Sequence, residues 1–351
     1  MTTLEAAMGC GRVHHAWVFS GPMGVGKCSA AVAFGAMLLD PTLAPDLSGR
    51  LSVDPESPTQ RMIRAGTHPD LHVITKELAA FSEDKSTRDR KQITIAKEVI
   101  EQHLLGPIAR AASVRTASIA QKVFIVDEAE LMDRSKSNAT TQNAMLKTLE
   151  EPPAGSVIIL VTAAEDRLLT TIRSRCQRVV FQRLDPAAMD RWFKDSVDRI
   201  GRPVPKDEMA WIKAFADGSP GRALLAASTG LYEWQKVLAP MLAELDRGSF
   251  PFEMGGAMGK LVGAWAESWV GSHKNASKEA ANHAAVRHLA LLLSEHFRAR
   301  LRQAAVASDP DGCERASASI ENIAAAERHI AANVNMGQAL ENLSAALVGA
   351  A

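Results

Sequence analysis

At 351 residues, 46% of them hydrophobic, the chain has material for two or three domains, and its 40 basic against 40 acidic side chains leave no net charge to argue for non-specific nucleic-acid binding. One Tyr and 5% aromatics argue against a base-stacking groove for single strands, and four widely spaced cysteines, Cys10, Cys28, Cys176 and Cys313, form no CxxC pair and point to neither a zinc module nor a disulfide scaffold. The best apolar run, residues 157–161, is far short of the roughly 18 residues of a membrane span, and the N-terminus lacks a basic segment followed by an apolar one, so a cytoplasmic protein with no membrane partner is expected.

His14 and His15 precede the first strand. With no acidic or cysteine partner nearby, they read as a lead-in to that strand rather than as metal ligands. The stretch WVFSGPMGVGKCSA, residues 17–30, then passes from an apolar run through Gly21, Gly24, Gly26 and Lys27 into an Ala-rich segment. Strand, glycine loop and helix in this order, with four residues between Gly21 and Gly26, make the P-loop pattern. Its backbone N–H groups and helix N-terminus cradle phosphates while the lysine meets the terminal ones.

One position departs from that pattern. A Ser or Thr hydroxyl normally follows the lysine and helps to hold Mg²⁺, whereas this chain has Cys28. A thiol is a soft ligand for a hard ion. Ser29 cannot simply take over, because one residue along a helix turns a side chain by about 100°. The pattern therefore predicts nucleotide binding with hydrolysis weakened.

Residues 40–70, rich in Pro, Ser and Asp, read as a loop or a short insertion, and 71–75 (LHVIT) as a strand. Residues 83–91, of mixed charge, read as a solvated loop. The spacing of Ile95, Val99, Ile100 and Leu104 predicts a helix over 93–105. In KVFIVDEAE the continuous apolar run 123–126 predicts a strand buried on both faces, with Asp127 and Glu128 at the C-terminal end, where open α/β sheets bind ligands. A helix over 138–150 ends before Pro152 and Pro153, and 157–162 (VIILVT) is another buried strand. Thr162 at its end either senses a phosphate or only closes the strand. Arg173, Arg175 and Arg178 follow, leading into a strand over 179–181. Such a cluster can be solvated, bind phosphate or insert into a neighbouring subunit's phosphate site, and spacing does not choose among these.

The series GPMGVGK, KVFIVDEAELM, NAMLKTLEEPP and LLTTIRSRCQ resembles the clamp-loader branch of the AAA+ ATPases, most closely its delta prime type of subunit. The likeness is dense from His14 to Phe181 and returns in 217–224 (DGSPGRAL) and 333–347. It implies an α/β P-loop (AAA+) domain with a parallel sheet over 1–183, a small helical lid over 184–229 and an all-α C-terminal collar over 230–351. Helical segments at 186–200, 206–216, 218–228, 232–245, 283–302 and 320–347 accord with this, and Ile323, Ile330, Val334 and Leu340 would form one apolar face.

The resemblance also implies roles. Gly21, Gly24, Gly26, Lys27, Cys28 and Ser29 would cradle ATP or ADP; Asp127 and Glu128 would be the Walker B pair, Asp127 holding Mg²⁺ if it binds; Thr162 would be sensor 1 and Arg222 sensor 2. Arg175, in Ser174-Arg175-Cys176, would reach in trans to ATP held by the next subunit. The implied partners are gamma or tau and delta subunits, the sliding clamp and primed DNA, in a machine that loads the clamp with ATP. The chain would act there as a stator. Relatives often carry a four-cysteine zinc module after the first helix, but residues 40–70 hold no cysteine, so no zinc is expected; the segment before His14, which in relatives helps enclose adenine, is shorter than theirs, so weaker nucleotide affinity is expected. Lys147 could face the DNA channel, although a surface lysine is the plainer reading. The alternative, a true ATPase motor subunit, is favoured by Lys27, Asp127 and Glu128 and opposed by Cys28. A small-molecule P-loop kinase would leave the helical C-terminal half and the SRC motif without a purpose.

Overall fold

The computed structural model describes residues 2–9, 13–46, 48–88, 94–114, 116–133, 139–196, 200–272, 277–332 and 334–349. The chain forms two compact units, one of residues 1–194 with 218–221, the other of 195–217 with 222–351. Residues of the expected lid, 184–229, contribute to both.

The first unit is built on five parallel strands: β1 (Ala16–Ser20), β2 (Leu71–Ile74), β3 (Lys122–Val126), β4 (Ser156–Thr162) and β5 (Gln177–Val180), in the spatial order β2-β3-β4-β1-β5. The expected strand at 179–181 thus begins two residues earlier. All five residues of β1 and β3 and all seven of β4 are buried, as their unbroken apolar runs require of strands covered on both faces. Alternation divides their side chains between two cores. Trp17, Phe19, Val123 and Ile125 pack with Phe34 and Leu38 of the P-loop helix α1 (Lys27–Leu39), while Val18, Phe124 and Val126 pack on the opposite face with Ile95, Val99, Met145 and Leu149. Met145 and Leu149 belong to α2 (Thr140–Glu150), which stops before the two prolines.

Several local readings are corrected. Residues 40–70 are not all loop: Ser57 caps a helix at Pro58–Arg64 by accepting from Gln60 N–H, and a short hairpin pairs Ala44–Pro45 with Leu51–Ser52. The mixed-charge stretch contains a helical turn, Lys85–Arg88, on which Thr87 is buried; residues 89–91 lie outside the described set. Ile95, Val99, Ile100 and Leu104 are fully buried as expected, but Ile95 precedes the helix, and the others lie on an α-turn (Lys97–Ile100) that passes into a π-turn (Glu101–Leu105). The expected first residues of two helices, Ile93 and Asn138, lie outside the described residues, as do 197–199 at the end of the expected helix 186–200. A helix at Thr2–Gly9 was not expected.

The second unit is helical, with α3 (Lys206–Ala216), α4 (Pro220–Thr229, of which Arg222 onward belongs here), α5 (Leu231–Asp246), α6 (Met254–Ser272), α7 (Lys278–Val306), α8 (Pro310–Ala331) and α9 (Met336–Gly349). The longest, α7, packs against α6 and α8, and α9 against α6 and α8. The expected segment 320–347 is therefore two helices. Val334 falls between them and is 45% exposed, so it leaves the apolar face that Ile323, Ile330 and Leu340 share. Helix α6 escaped the sequence reading because its glycines, among them Gly255, Gly256, Gly259 and Gly263, are poor helix formers; packing of Met254, Met258, Val262 and Ala266 carries it instead. No helix among the described residues is long and apolar enough to cross a membrane.

Candidate functional site

The strand register brings the diagnostic residues to one edge of the sheet. Ser20 at the end of β1 pairs in register with Thr162 at the end of β4, and Val126, directly before Asp127, pairs with Leu160. The P-loop leaves β1 at Gly21, whose φ of +147° and position against Phe181 admit only glycine: a Cβ would lie 2.2 Å from the Phe181 carbonyl oxygen. Gly26, at φ +92°, starts α1 from the left-handed region. Gly24 is braced from outside the motif, since Gly221 N–H donates to its carbonyl at 2.8 Å and the Ser219 hydroxyl donates to the Met23 carbonyl at 3.0 Å.

Lys27 is buried, with 7% exposure, and its Nζ donates to the carbonyls of Gly21 at 2.8 Å and Pro22 at 2.7 Å. Burial lowers its pKa, a tendency opposed by the carboxylates of Glu130 and Asp127. Cys28 is half-buried beside the Asp127 carboxylate; burial first, then the neighbouring Asp127, push its pKa up to about 12. It is therefore a neutral thiol donor at physiological pH. Ser29 is exposed on the same helical turn. Asp127 also accepts the Glu128 N–H at 3.0 Å. A neutral, soft thiol beside the acidic residue is not the hard-oxygen donor set that Mg²⁺ takes, and these residues do not fit that ion.

Glu128 sits at φ +48° and pairs with Lys76 Nζ at 2.5 Å. Thr162 is buried, and its Oγ1 accepts the Ala164 N–H at 3.0 Å. Beside it, Glu130 accepts the Ala163 N–H at 3.1 Å. Lys76 and Glu130 are members of this site that the sequence reading missed. The DEAE spacing could have pointed to Glu130, but Lys76 is 52 residues from Glu128 and only the β2–β3 pairing brings them together.

Arg175 lies elsewhere in the first unit, in an open cleft lined by His14, His15, Leu149, Glu150 and Ser174. Its Nη1 donates to the Thr171 carbonyl at 2.7 Å and its Nη2 pairs with Glu150. The other two arginines of the cluster are engaged separately, Arg178 with Glu165 at 2.7 Å and Arg173 with the Thr170 hydroxyl at 3.3 Å. His14 and His15 stack at 4.3 Å and bond backbone carbonyls, in keeping with a structural lead-in. Arg222 belongs to the second unit. It is buried there, paired with Glu295 and placed 4.8 Å from the centre of the Phe215 ring.

The family described as DNA polymerase III, delta subunit, matches residues 1–185, more than half of this chain. The chain belongs to this family. Among similar proteins, DNA polymerase III subunit delta' of Bacillus subtilis is 30% identical over 187 residues, covering 53% of this chain and 48% of its own length. DNA polymerase III subunit delta' of Pseudomonas aeruginosa is 29% identical, covering 62% of this chain and 57% of its own length. DNA polymerase III subunit tau of Bacillus subtilis is 30% identical over 63% of this chain and 34% of its own length. The chain thus spans about half the length of the delta' relatives it matches. Members of the delta subunit family share with it the region that carries the P-loop, Asp127 and Arg175.

Proposed function

We propose that this chain is a delta prime-like clamp-loader subunit, which helps gamma or tau and delta subunits to place a sliding clamp on primed DNA with ATP. Its part is that of a stator that donates Arg175 in trans. One contrast supports this reading. In the chain's own phosphate site Lys27 is held by loop carbonyls, Cys28 stands beside Asp127 and Glu128 pairs with Lys76, whereas Arg175 stands in an open cleft. Two of its five N–H donors have acceptors among the described residues, which leaves three for an incoming phosphate.

The Gly21-to-Gly26 loop with Lys27 would hold ATP or ADP once Lys27 exchanges the Gly21 and Pro22 carbonyls for phosphate oxygens. Thr162 would report on the terminal phosphate. Arg222 would serve as sensor 2 by exchanging Glu295 for phosphate, and the chain would divide into nucleotide-binding, lid and collar domains. The chain's own hydrolysis is expected to be weak or absent.

The experiment is reconstitution with the motor subunits. Arg175→Ala lowers ATP turnover of the assembled loader and leaves assembly intact; an arginine finger in trans is worth about 10³ to 10⁵ at the site it serves. Unchanged turnover removes the finger. A second reading, an active motor subunit, draws on the intact Lys27, Asp127 and Glu128. Vigorous turnover by the isolated chain, abolished by Lys27→Ala, would establish it.

A further inference from the structure

We infer that Glu150 is the positioning residue for Arg175, holding its guanidinium at the surface of the first unit before a partner arrives. The inference rests on the finger reading of Arg175. Three separate stretches converge on this point. Glu150 is the last residue of α2, whose course is ended by Pro152 and Pro153. His15, just before β1, bonds the carbonyl of the preceding residue, Leu149, at 2.9 Å and ties that helix end to the sheet. Arg175 follows the helical turn Thr170–Arg173 and donates both to Glu150 and to the Thr171 carbonyl.

The carboxylate and the carbonyl thus take two edges of a rigid, planar fork. A guanidinium held at two points favours one rotamer over the others, which biases the directions of its three remaining donors. Geometry held before the reacting groups meet is what raises the rate, and small misplacements of a positioned group cost turnover heavily. Arg175 is only 33% exposed and Glu150 49%, so the pair is screened by water. It contributes little to folding, and its value lies in where the guanidinium is kept. Glu151, the adjoining carboxylate, is exposed and makes no ion pair among the described residues.

The test is a double-mutant cycle in the loader reconstituted with motor subunits, reading kcat and KM for ATP, with assembly followed by gel filtration. Glu150→Ala is expected to remove roughly half or more of the turnover that Arg175→Ala removes, in kcat rather than KM. It is expected to have no further effect in the Arg175→Ala background, because it acts only through that side chain. Glu150→Gln, which keeps an acceptor, recovers part of the loss, and Glu151→Ala leaves turnover unchanged. If Arg175→Ala lowers turnover and Glu150→Ala does not, or if the two losses simply add, the positioning role is wrong while the finger stands. If Arg175→Ala has no effect, the finger reading fails and this inference with it.

Discussion

The thiol of Cys28 stands beside the carboxylate of Asp127. The residue after the P-loop lysine and the acidic residue after β3 thus face each other. Burial and the neighbouring carboxylate stabilise the protonated thiol, whose pKa stands at about 12, and set a soft, neutral group where a cation's oxygen ligand is needed. Nucleotide affinity of the chain should therefore change little when Mg²⁺ is withdrawn. Cys28→Ser, which supplies an oxygen at the same place, should raise the response to Mg²⁺ by roughly 10-fold, the size of one added contact. Calorimetric titration with and without the metal checks both, and a strong metal response in the unmodified chain would contradict the argument.

Gly21 and Gly26 separate two costs of replacing a loop glycine. At Gly21 an added Cβ meets the Phe181 carbonyl as well as an unfavourable φ, whereas at Gly26 it meets nothing within 4 Å. Gly21→Ala should destabilise the chain by at least about 2 kcal/mol and Gly26→Ala by about 1 kcal/mol. Denaturant unfolding followed by tryptophan fluorescence compares them, and equal losses would show that the collision is relieved at no cost.

Truncation should cost far more at Arg222 than at Arg175. Arg222→Ala leaves Glu295 buried with Arg298 at 3.5 Å and Arg302 at 3.4 Å as its remaining cationic partners. Burial raises the Glu295 pKa, but Arg222, Arg298 and Arg302 outweigh it and keep the carboxyl below its ordinary range. Loss of about 2–4 kcal/mol is expected for Arg222→Ala, and less than about 1 kcal/mol for Arg175→Ala at its exposed pair. Urea unfolding of the full chain reads both.

His288 gives the second unit a sensitivity to acid. Burial, with Arg287 adding to it, lowers its pKa to about 4, its Nδ1 is buried without a partner among the described residues, and its ring meets Trp265 edge-on at 5.0 Å. The unfolded chain binds this proton near the ordinary histidine pKa of about 6.5 and the folded chain does not, so stability present above that value is lost as pH falls towards 4. By pH 5 the loss should reach about 2 kcal/mol. His288→Leu should flatten that part of the stability profile, and an unaltered profile would place the acid sensitivity elsewhere.

Much of the first unit was legible because its signals are local. Apolar runs at 123–126 and 157–162 became buried strands, Gly21, Gly26 and Lys27 formed the loop that their spacing required, and Pro152 and Pro153 ended α2. The second unit was less legible. Its α6 has glycines where propensity expects none, and its stability comes from packing contributed by distant residues.

From the sequence alone followed the P-loop pattern, the acidic pair after β3, the loss of the hydroxyl at Cys28 and the likeness to clamp-loader subunits, because each is a matter of residue type at short spacing. Only the tertiary structure decided what those residues touch. It set Cys28 against Asp127, Lys76 against Glu128, Arg222 against Glu295 and Glu150 against Arg175. The physical reason is that strand register and helix packing bring together groups separated by 25 to 99 residues, and no local pattern records which charge will meet which.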